Sequence, residues 1–221
     1  MAKLRTLTQL QEELDAEMAW RIKEVATFKQ VARINSTNRK VFLRTGVALV
    51  YAHWEGFIKA SSVKYLDFVN NQNHAYRELK SCFAVLGLKG KLTLLVESRQ
   101  SKSNIEAFDF VLDEINNTAR MGMANAIDTE SNLTSRVFVN IASSIDIATA
   151  KYETKFNLID ESLVRRRNKI AHGEYLDLEM DDFSALADDV LQLMRDYKVD
   201  LQNAASMETY KRLAPLKSRI E

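Results

Sequence analysis

Apolar residues recur at three- and four-residue steps along most of the chain, a spacing that places them on one side of an α-helix. From Thr8 to about Ile34 such a stripe alternates with charged residues and predicts a first amphipathic helix. The run from about Arg39 to Val69 is apolar on almost every side, which predicts a long central helix packed by several neighbours. Helix-capping residues from Asn35 to Asn38 separate the two.

The middle of the chain predicts shorter elements. Two short helical patterns lie between Tyr76 and about Arg99, with the Gly87 and Gly90 region as a hinge. Another amphipathic segment starts near residues 101–104, and the stretch from 116 to about 122 is irregular and predicted to be exposed. We interpret residues 76–130 as a helical insertion that elaborates a bundle.

The last third predicts three helices. One begins at Asn132–Ser135 and continues through Ile147, and a long one begins near Asp181. Between them, Asp160 is a predicted N-cap of a short helix that ends near His172. The fold class is therefore all-α: a single domain over residues 1–221, with long helices in 1–75, the insertion in 76–130, and the remaining helices in 131–221.

Composition agrees with this fold class and narrows the chemistry. The chain has one proline and six glycines, too few turn formers for many short strands. Its single cysteine, Cys82, excludes an intramolecular disulfide, and three scattered histidines do not form a local metal site. No cofactor is predicted, although the sequence leaves open a metal site made of carboxylates that folding brings together. No segment resembles a signal peptide or reaches the roughly 18 apolar residues of a membrane span, so we expect a cytoplasmic protein with no membrane partner.

Charge is balanced over the whole chain but is locally concentrated. The formal net charge is +1, so a polyanion would have to bind a local basic patch. The densest patch is Arg165 to Lys169, and a looser group contains Arg33, Arg39, Lys40 and Arg44, which we interpret as a solvated face.

The dense patch belongs to a stretch with two interpretations. Its basic and polar members are Arg165, Arg166, Arg167, Asn168, Lys169 and His172. In one interpretation the cations stabilise a helix C-terminus that Gly173 ends. In the other they form a site: Asn168 and His172 share a face, but Arg167 lies about 140° away from His172. Arg167 and His172 then meet one substrate only if the helix ends at Ala171 or if a second copy contributes.

Polar groups also interrupt the apolar central helix. A carboxylate at Glu55 is costly there unless it is paired, either with Lys59 one turn later or with an arginine of the site. Tyr51 shares the face of Glu55. His53 is interpreted as a half-buried histidine with one hydrogen-bond partner.

Two segments carry a resemblance to a known family. The run Arg167-Asn-Lys-Ile-Ala-His172-Gly173 resembles the Arg-Asn-x-x-Ala-His-Gly signature of the HEPN superfamily (higher eukaryotes and prokaryotes nucleotide-binding domains). Upstream, Tyr51-Ala-His-Trp-Glu-Gly-Phe-Ile-Lys59 is similar to the companion segment of a bacterial HEPN-like nuclease family. With both segments in the expected order, the likeness extends from about Arg39 to Tyr210 and implies an HEPN-like helical bundle.

The resemblance implies a metal-independent endoribonuclease, a toxin or an antiviral-defence effector. Arg167, His172 and Asn168 are then catalytic, Tyr51 and Glu55 support the site, and the expected RNA-binding residues are Arg165, Arg166, Lys169 and Tyr175. The same resemblance implies a homodimer with a composite site and an antitoxin or regulatory protein as a partner. A related group carries Tyr two residues after the His, whereas this chain has Glu174 there, which puts regulation by modification of that tyrosine in doubt.

Two other function classes stay open at this point. The same basic helix end fits a non-catalytic module that binds a nucleotide or the acidic surface of a partner. It also fits a structural dimerisation domain in which the arginines are solvated.

Overall fold

The computed structural model describes residues 3–35, 37–122 and 126–213, and three long helices form its body. These are α1 (Leu7–Ile34), α2 (Arg39–Asn70) and α7 (Met180–Ser206), each packed against the other two. The shorter α-helices are α3 (Ser81–Glu97), α4 (Ser101–Glu114), α5 (Ser135–Ser144) and α6 (Arg165–Ala171). Within the described residues there is no β-strand beyond two isolated bridges, so the all-α prediction is confirmed.

Helix α2 is the centre of the bundle. Trp54, Phe57 and Tyr65 are fully buried along it, and the Trp54 ring lies 5.4 Å from the ring of Phe138 in α5. Near its start, Gly46 permits a close approach, because a Cβ there would come within 2.7 Å of the Phe183 ring of α7. The apolar surface that the sequence predicted for this helix is therefore covered from several sides.

Helix α3 corrects the predicted hinge. It runs unbroken through Gly87 and Gly90, preceded by a short 3₁₀ turn at Tyr76–Glu78. Gly87 lies against the Tyr76 ring, and a Cβ at this position would overlap the ring. The glycine thus permits a close packing contact within a continuous helix, and α3 and α4 pair as a helical hairpin.

The irregular stretch after α4 is exposed at residues 116–118, 120 and 122, as the sequence predicted, but some of its apolar residues are buried. Ala119, Met121 and Ile127 are buried, and the Tyr76 hydroxyl lies 3.0 Å from both the backbone nitrogen and the backbone oxygen of Arg120. The segment contacts the end of α2, where the backbone nitrogen of Met121 donates to the side-chain oxygen of Asn70 (2.9 Å). Ser36 of the predicted cap cluster, residues 123–125 and the single proline at 215 lie outside the described residues.

Asp160 has a different role from the predicted N-cap. The π-helical turns at Leu158–Val164 already include Asp160, and they continue directly into α6. The Asp160 carboxylate accepts hydrogen bonds from the backbone nitrogen (2.7 Å) and the hydroxyl (2.5 Å) of Ser135. Asp160 therefore satisfies the first turn of α5, which ends at Ser144 and not at Ile147 as predicted.

None of the described helices combines the length and the apolar character needed to cross a membrane.

Candidate functional site

The C-terminus of α6 is closed by a Schellman motif. The backbone nitrogen of Gly173 donates to the oxygen of Ile170 (3.1 Å), and that of Glu174 donates to the oxygen of Lys169 (2.8 Å). Gly173 has a φ of +77°, a left-handed conformation that glycine adopts without strain. The helix ends here as the sequence predicted, and the residue before the glycine, His172, is exposed at its end.

His172 lies in an open groove of about 380 Å³ along one side of the motif helix. The other residues that line the groove are Asp160, Glu161, Val164, Arg165, Asn168, Lys169 and Glu174. Arg165 donates to Glu161 at 2.6 Å, and this hydrogen bond together with the carboxylate charge raises the pKa of Arg165. The groove thus places an imidazole and an amide beside two cations and three carboxylates, one of which pairs with Arg165.

Arg167 does not line this groove and contacts three other residues, one of which lies in its own helix. Its Nη1 atom donates to the side-chain oxygens of Asn132 (2.8 Å) and Asn168 (2.9 Å). The guanidinium carbon lies 4.5 Å from the ring centroid of Tyr51 in α2, a cation–π distance. These contacts use the two hydrogens of Nη1, so the Nε and Nη2 hydrogens are the donors available to a phosphate.

Asn168 connects the two halves of the motif. It lines the groove with His172, one turn away, and accepts the hydrogen bond from Arg167. The structure therefore brings His172 and Asn168 into one groove, whereas Arg167 reaches that groove through Asn168. Arg166 is half-buried and does not line the groove.

Tyr51 and Glu55 both contact the segment before α5, which the sequence did not indicate. The Tyr51 hydroxyl accepts a hydrogen bond from the backbone nitrogen of Leu133 (2.9 Å). Burial raises the pKa of the Tyr51 hydroxyl, and the charge of Glu55 raises it further. Glu55 accepts from the Thr129 hydroxyl at 2.8 Å, so its partner is neither the expected arginine nor Lys59.

One member of the looser basic group reaches the turn after His172. Arg44 donates to the backbone oxygen of Glu174 (3.0 Å), and its guanidinium carbon lies 5.8 Å from the Tyr175 ring centroid. The interpretation of this group as a merely solvated face is therefore wrong for Arg44. Tyr175 remains 68% exposed.

Asn132 and Asp160 are functional-site neighbours whose contacts the sequence analysis missed. Asn132 was interpreted as a helix start, but its side chain contacts Arg167, 35 residues away. Asp160 was interpreted as a local cap, but it binds Ser135, 25 residues away. No signal within a short window identifies partners at these separations.

Within residues 3–35, 37–122 and 126–213, no group of three or more histidine, cysteine, aspartate or glutamate side chains is placed to bind a metal ion.

Comparison with known proteins gives one match. A family model described as RiboL-PSP-HEPN matches residues 16–203, a span that includes the motif helix, the groove and the supporting residues of α2. No curated protein and no solved structure matches the chain.

Proposed function

Because the chain belongs to the RiboL-PSP-HEPN family, we propose that it is a metal-independent endoribonuclease that acts through His172 and Arg167. The observation that supports this function best is the exposed imidazole of His172 in a groove with Asn168 and Lys169, joined to Arg167 through Asn168. An imidazole with a pKa near neutrality transfers protons in solution at physiological pH, and a guanidinium matches the geometry of phosphate.

The proposed reaction is an internal transfer on RNA. The ribose 2′-oxygen attacks the adjacent phosphorus while a base removes the 2′-OH proton, and an acid delivers a proton to the leaving 5′-oxygen. The products are a 2′,3′-cyclic phosphate and a free 5′-hydroxyl. His172 moves these protons, Arg167 stabilises the charge that builds on the phosphate oxygens, and Asn168 orients Arg167 or the imidazole.

RNA would be held by groups around the groove. Lys169 and Arg165 line it, and Arg166 lies beside them in the same helix, so all three are proposed to bind backbone phosphates. Tyr175, exposed and backed by Arg44, is proposed to stack on a base.

A homodimer would complete the active site. The reaction needs an acid and a base, whereas one chain offers one exposed histidine in the groove, and its own Arg167 lies on an adjoining face. A two-fold axis beside α6 would bring Arg167, Asn168 and His172 of both chains to one cleft.

The biological role that we propose is that of a toxin or an antiviral-defence effector held in check by an antitoxin or regulatory protein. Support comes from the likeness of the Arg-Asn-x-x-Ala-His-Gly signature to that of bacterial HEPN nucleases. Expression of the wild-type chain in a bacterial host should slow growth, and expression of His172→Ala should not. Equal growth with both chains would contradict an RNA-degrading toxin.

The direct test of the activity is RNA cleavage in the presence of EDTA. Purified protein should cleave a mixed RNA substrate without added metal and leave 2′,3′-cyclic phosphate ends. A His172→Ala preparation purified in parallel controls for contaminating nucleases. Cleavage that requires added metal would contradict the mechanism, and RNA binding without cleavage would favour a non-catalytic module.

A further inference from the structure

The orientation of Arg167 is set from outside its own helix by Asn132. The Asn132 side chain lies on the loop before α5, and its oxygen accepts the 2.8 Å hydrogen bond from Arg167. Together with Asn168 and the Tyr51 ring, Asn132 contacts the guanidinium from a third direction. A free arginine side chain has about 2 kcal/mol of rotamer entropy, so its orientation is defined only where several contacts hold it.

The loop that carries Asn132 is itself attached to α2. Leu133 donates its backbone N–H to the Tyr51 hydroxyl (2.9 Å), and its backbone oxygen accepts from Trp54 Nε1 (3.3 Å). Three residues before Asn132, the hydroxyl of Thr129 donates to Glu55 at 2.8 Å. Side chains from successive turns of the central helix therefore hold both ends of a five-residue segment.

The motif helix holds the same loop from the other side. The two hydrogen bonds from Ser135 to Asp160 connect the first turn of α5 to the π-helical turns that precede α6. Asn132 is thus fixed relative to both α2 and the helix that carries Arg167. Leu133, next to Asn132, is fully buried, which restricts the loop further.

We propose that Asn132 is a positioning residue that holds the Arg167 guanidinium with its Nε and Nη2 hydrogens directed at the scissile phosphate. This inference rests on the proposed RNA cleavage. An amide suits the task because its oxygen accepts a hydrogen bond while it leaves the positive charge of Arg167 uncompensated. A carboxylate at the same place would pair with that charge and oppose its action on the phosphate.

The test is a double-mutant cycle on RNA cleavage by the full chain. Asn132→Ala should lower kcat about tenfold to 100-fold and leave KM nearly unchanged, since misplacement of a positioned group reduces the rate of the chemical step. In an Arg167→Lys background, which lacks the planar fork, Asn132→Ala should change kcat less than about twofold. The matched control is Asn140→Ala, on the exposed side of α5, which should change neither constant.

The outcomes separate the inference from the proposed function. Wild-type activity of Asn132→Ala, or an equal loss of kcat in both backgrounds, would overturn the positioning role. If the wild-type chain does not cleave RNA, the proposed function fails. Urea unfolding of the Asn132→Ala, Arg167→Ala and double variants then still tests whether Asn132 and Arg167 interact. Non-additive shifts of the urea midpoint of unfolding would support the interaction of Asn132 with Arg167, and additive shifts would overturn it.

Discussion

Arg167 donates a 2.9 Å hydrogen bond to the side-chain oxygen of Asn168, its neighbour in the chain. Adjacent residues lie about 100° apart around a helix, so this bond joins two faces that helical periodicity separates. One face contacts α2, and the other opens into the groove that contains His172. Asn168 therefore contacts Arg167 and lines the same groove as His172, the two residues on which the proposed chemistry depends.

Removal of either principal side chain should abolish RNA cleavage. His172→Ala removes the proton shuttle and should lower kcat by about 10²- to 10⁴-fold. Arg167→Ala removes the phosphate-stabilising cation and should cause a loss of about 10²- to 10³-fold. Cleavage of a labelled RNA oligonucleotide in EDTA measures both effects.

The His172→Ala and Arg167→Ala variants should differ in their free energy of unfolding. A surface arginine provides the control for the loss of a positive charge. His172 is exposed, so its replacement should change the free energy of unfolding by less than about 0.5 kcal/mol, whereas Arg167→Ala should cost more because it loses the contacts to Tyr51 and Asn132. Arg99→Ala, in the exposed link between α3 and α4, should keep full activity. Persistent cleavage by His172→Ala would refute the assignment of the imidazole.

Trp54 should be a major source of stability. Its side chain is fully buried, packs on Phe138, and donates through Nε1 to the backbone oxygen of Leu133. Trp54→Ala should therefore cost about 3–5 kcal/mol in the free energy of unfolding, measured with urea. Trp20→Ala is the matched control, since the Trp20 side chain is 49% exposed and should cost clearly less. Equal costs for the two tryptophans would show that α2 is not the centre of the core.

The turn after His172 should require glycine because of the backbone conformation and not because space is lacking for a side chain. Gly173 has a φ of +77°, and no atom lies within 4 Å of a Cβ built on it, so the penalty for alanine is strain without a clash. Gly173→Ala should therefore destabilise the fold by about 1–2 kcal/mol. Gly90→Ala, at an equally open position inside α3, should instead stabilise it by about 0.4–1 kcal/mol. Changes of the same sign at both positions would contradict this explanation.

The sequence predicted the features that depend on local periodicity and capping. The bounds of α1 and α2, and the end of α6 at Gly173, follow from apolar spacing and from glycine chemistry within a few residues. The hinge at Gly87 was wrong because a glycine that permits a packing contact has the same local pattern as a glycine that breaks a helix. The partner of Gly87, Tyr76, is apparent only in three dimensions.

The sequence motif identifies the residues of the candidate site, but it does not identify the residues that they contact. Arg167, Asn168 and His172 are identifiable from the motif, but the sequence does not specify that Arg167 faces α2 while His172 faces a groove. Asn132 contacts Arg167 only because the loop before α5 folds against Tyr51 and Leu133 fixes it there. Such long-range contacts depend on the packing of whole elements.

Protonation of His53 should weaken the fold at acidic pH. Its side chain is buried between α1 and α2, beside Trp20, and burial lowers its pKa, with partial opposition from Glu24. The Nε2 atom lies 3.2 Å from a Glu24 carboxylate oxygen without hydrogen-bond alignment. Because the unfolded chain binds a proton near the usual pKa of about 6.5 and the folded chain binds it only at lower pH, stability should fall as pH drops below that value.

The measurement is the free energy of unfolding at pH 7.5 and pH 5 for wild type and His53→Gln. The loss between the two pH values should be smaller in the variant, since the residue that takes up the proton is gone. An identical pH dependence for wild type and His53→Gln would contradict the prediction.

Assembly should determine activity, because the proposed cleft needs groups that one chain does not bring together. Each 25.3 kDa chain carries a net charge of only +1, so a second copy beside α6 would double the local positive charge as well as the number of histidines. We expect light scattering at micromolar concentration to give the mass of a dimer. On dilution, the RNA cleavage rate per chain should fall in step with the dimer fraction. Arg99→Ala should follow the same curve as wild type. An active monomer would exclude the composite cleft and would require one His172 to serve as both base and acid in turn.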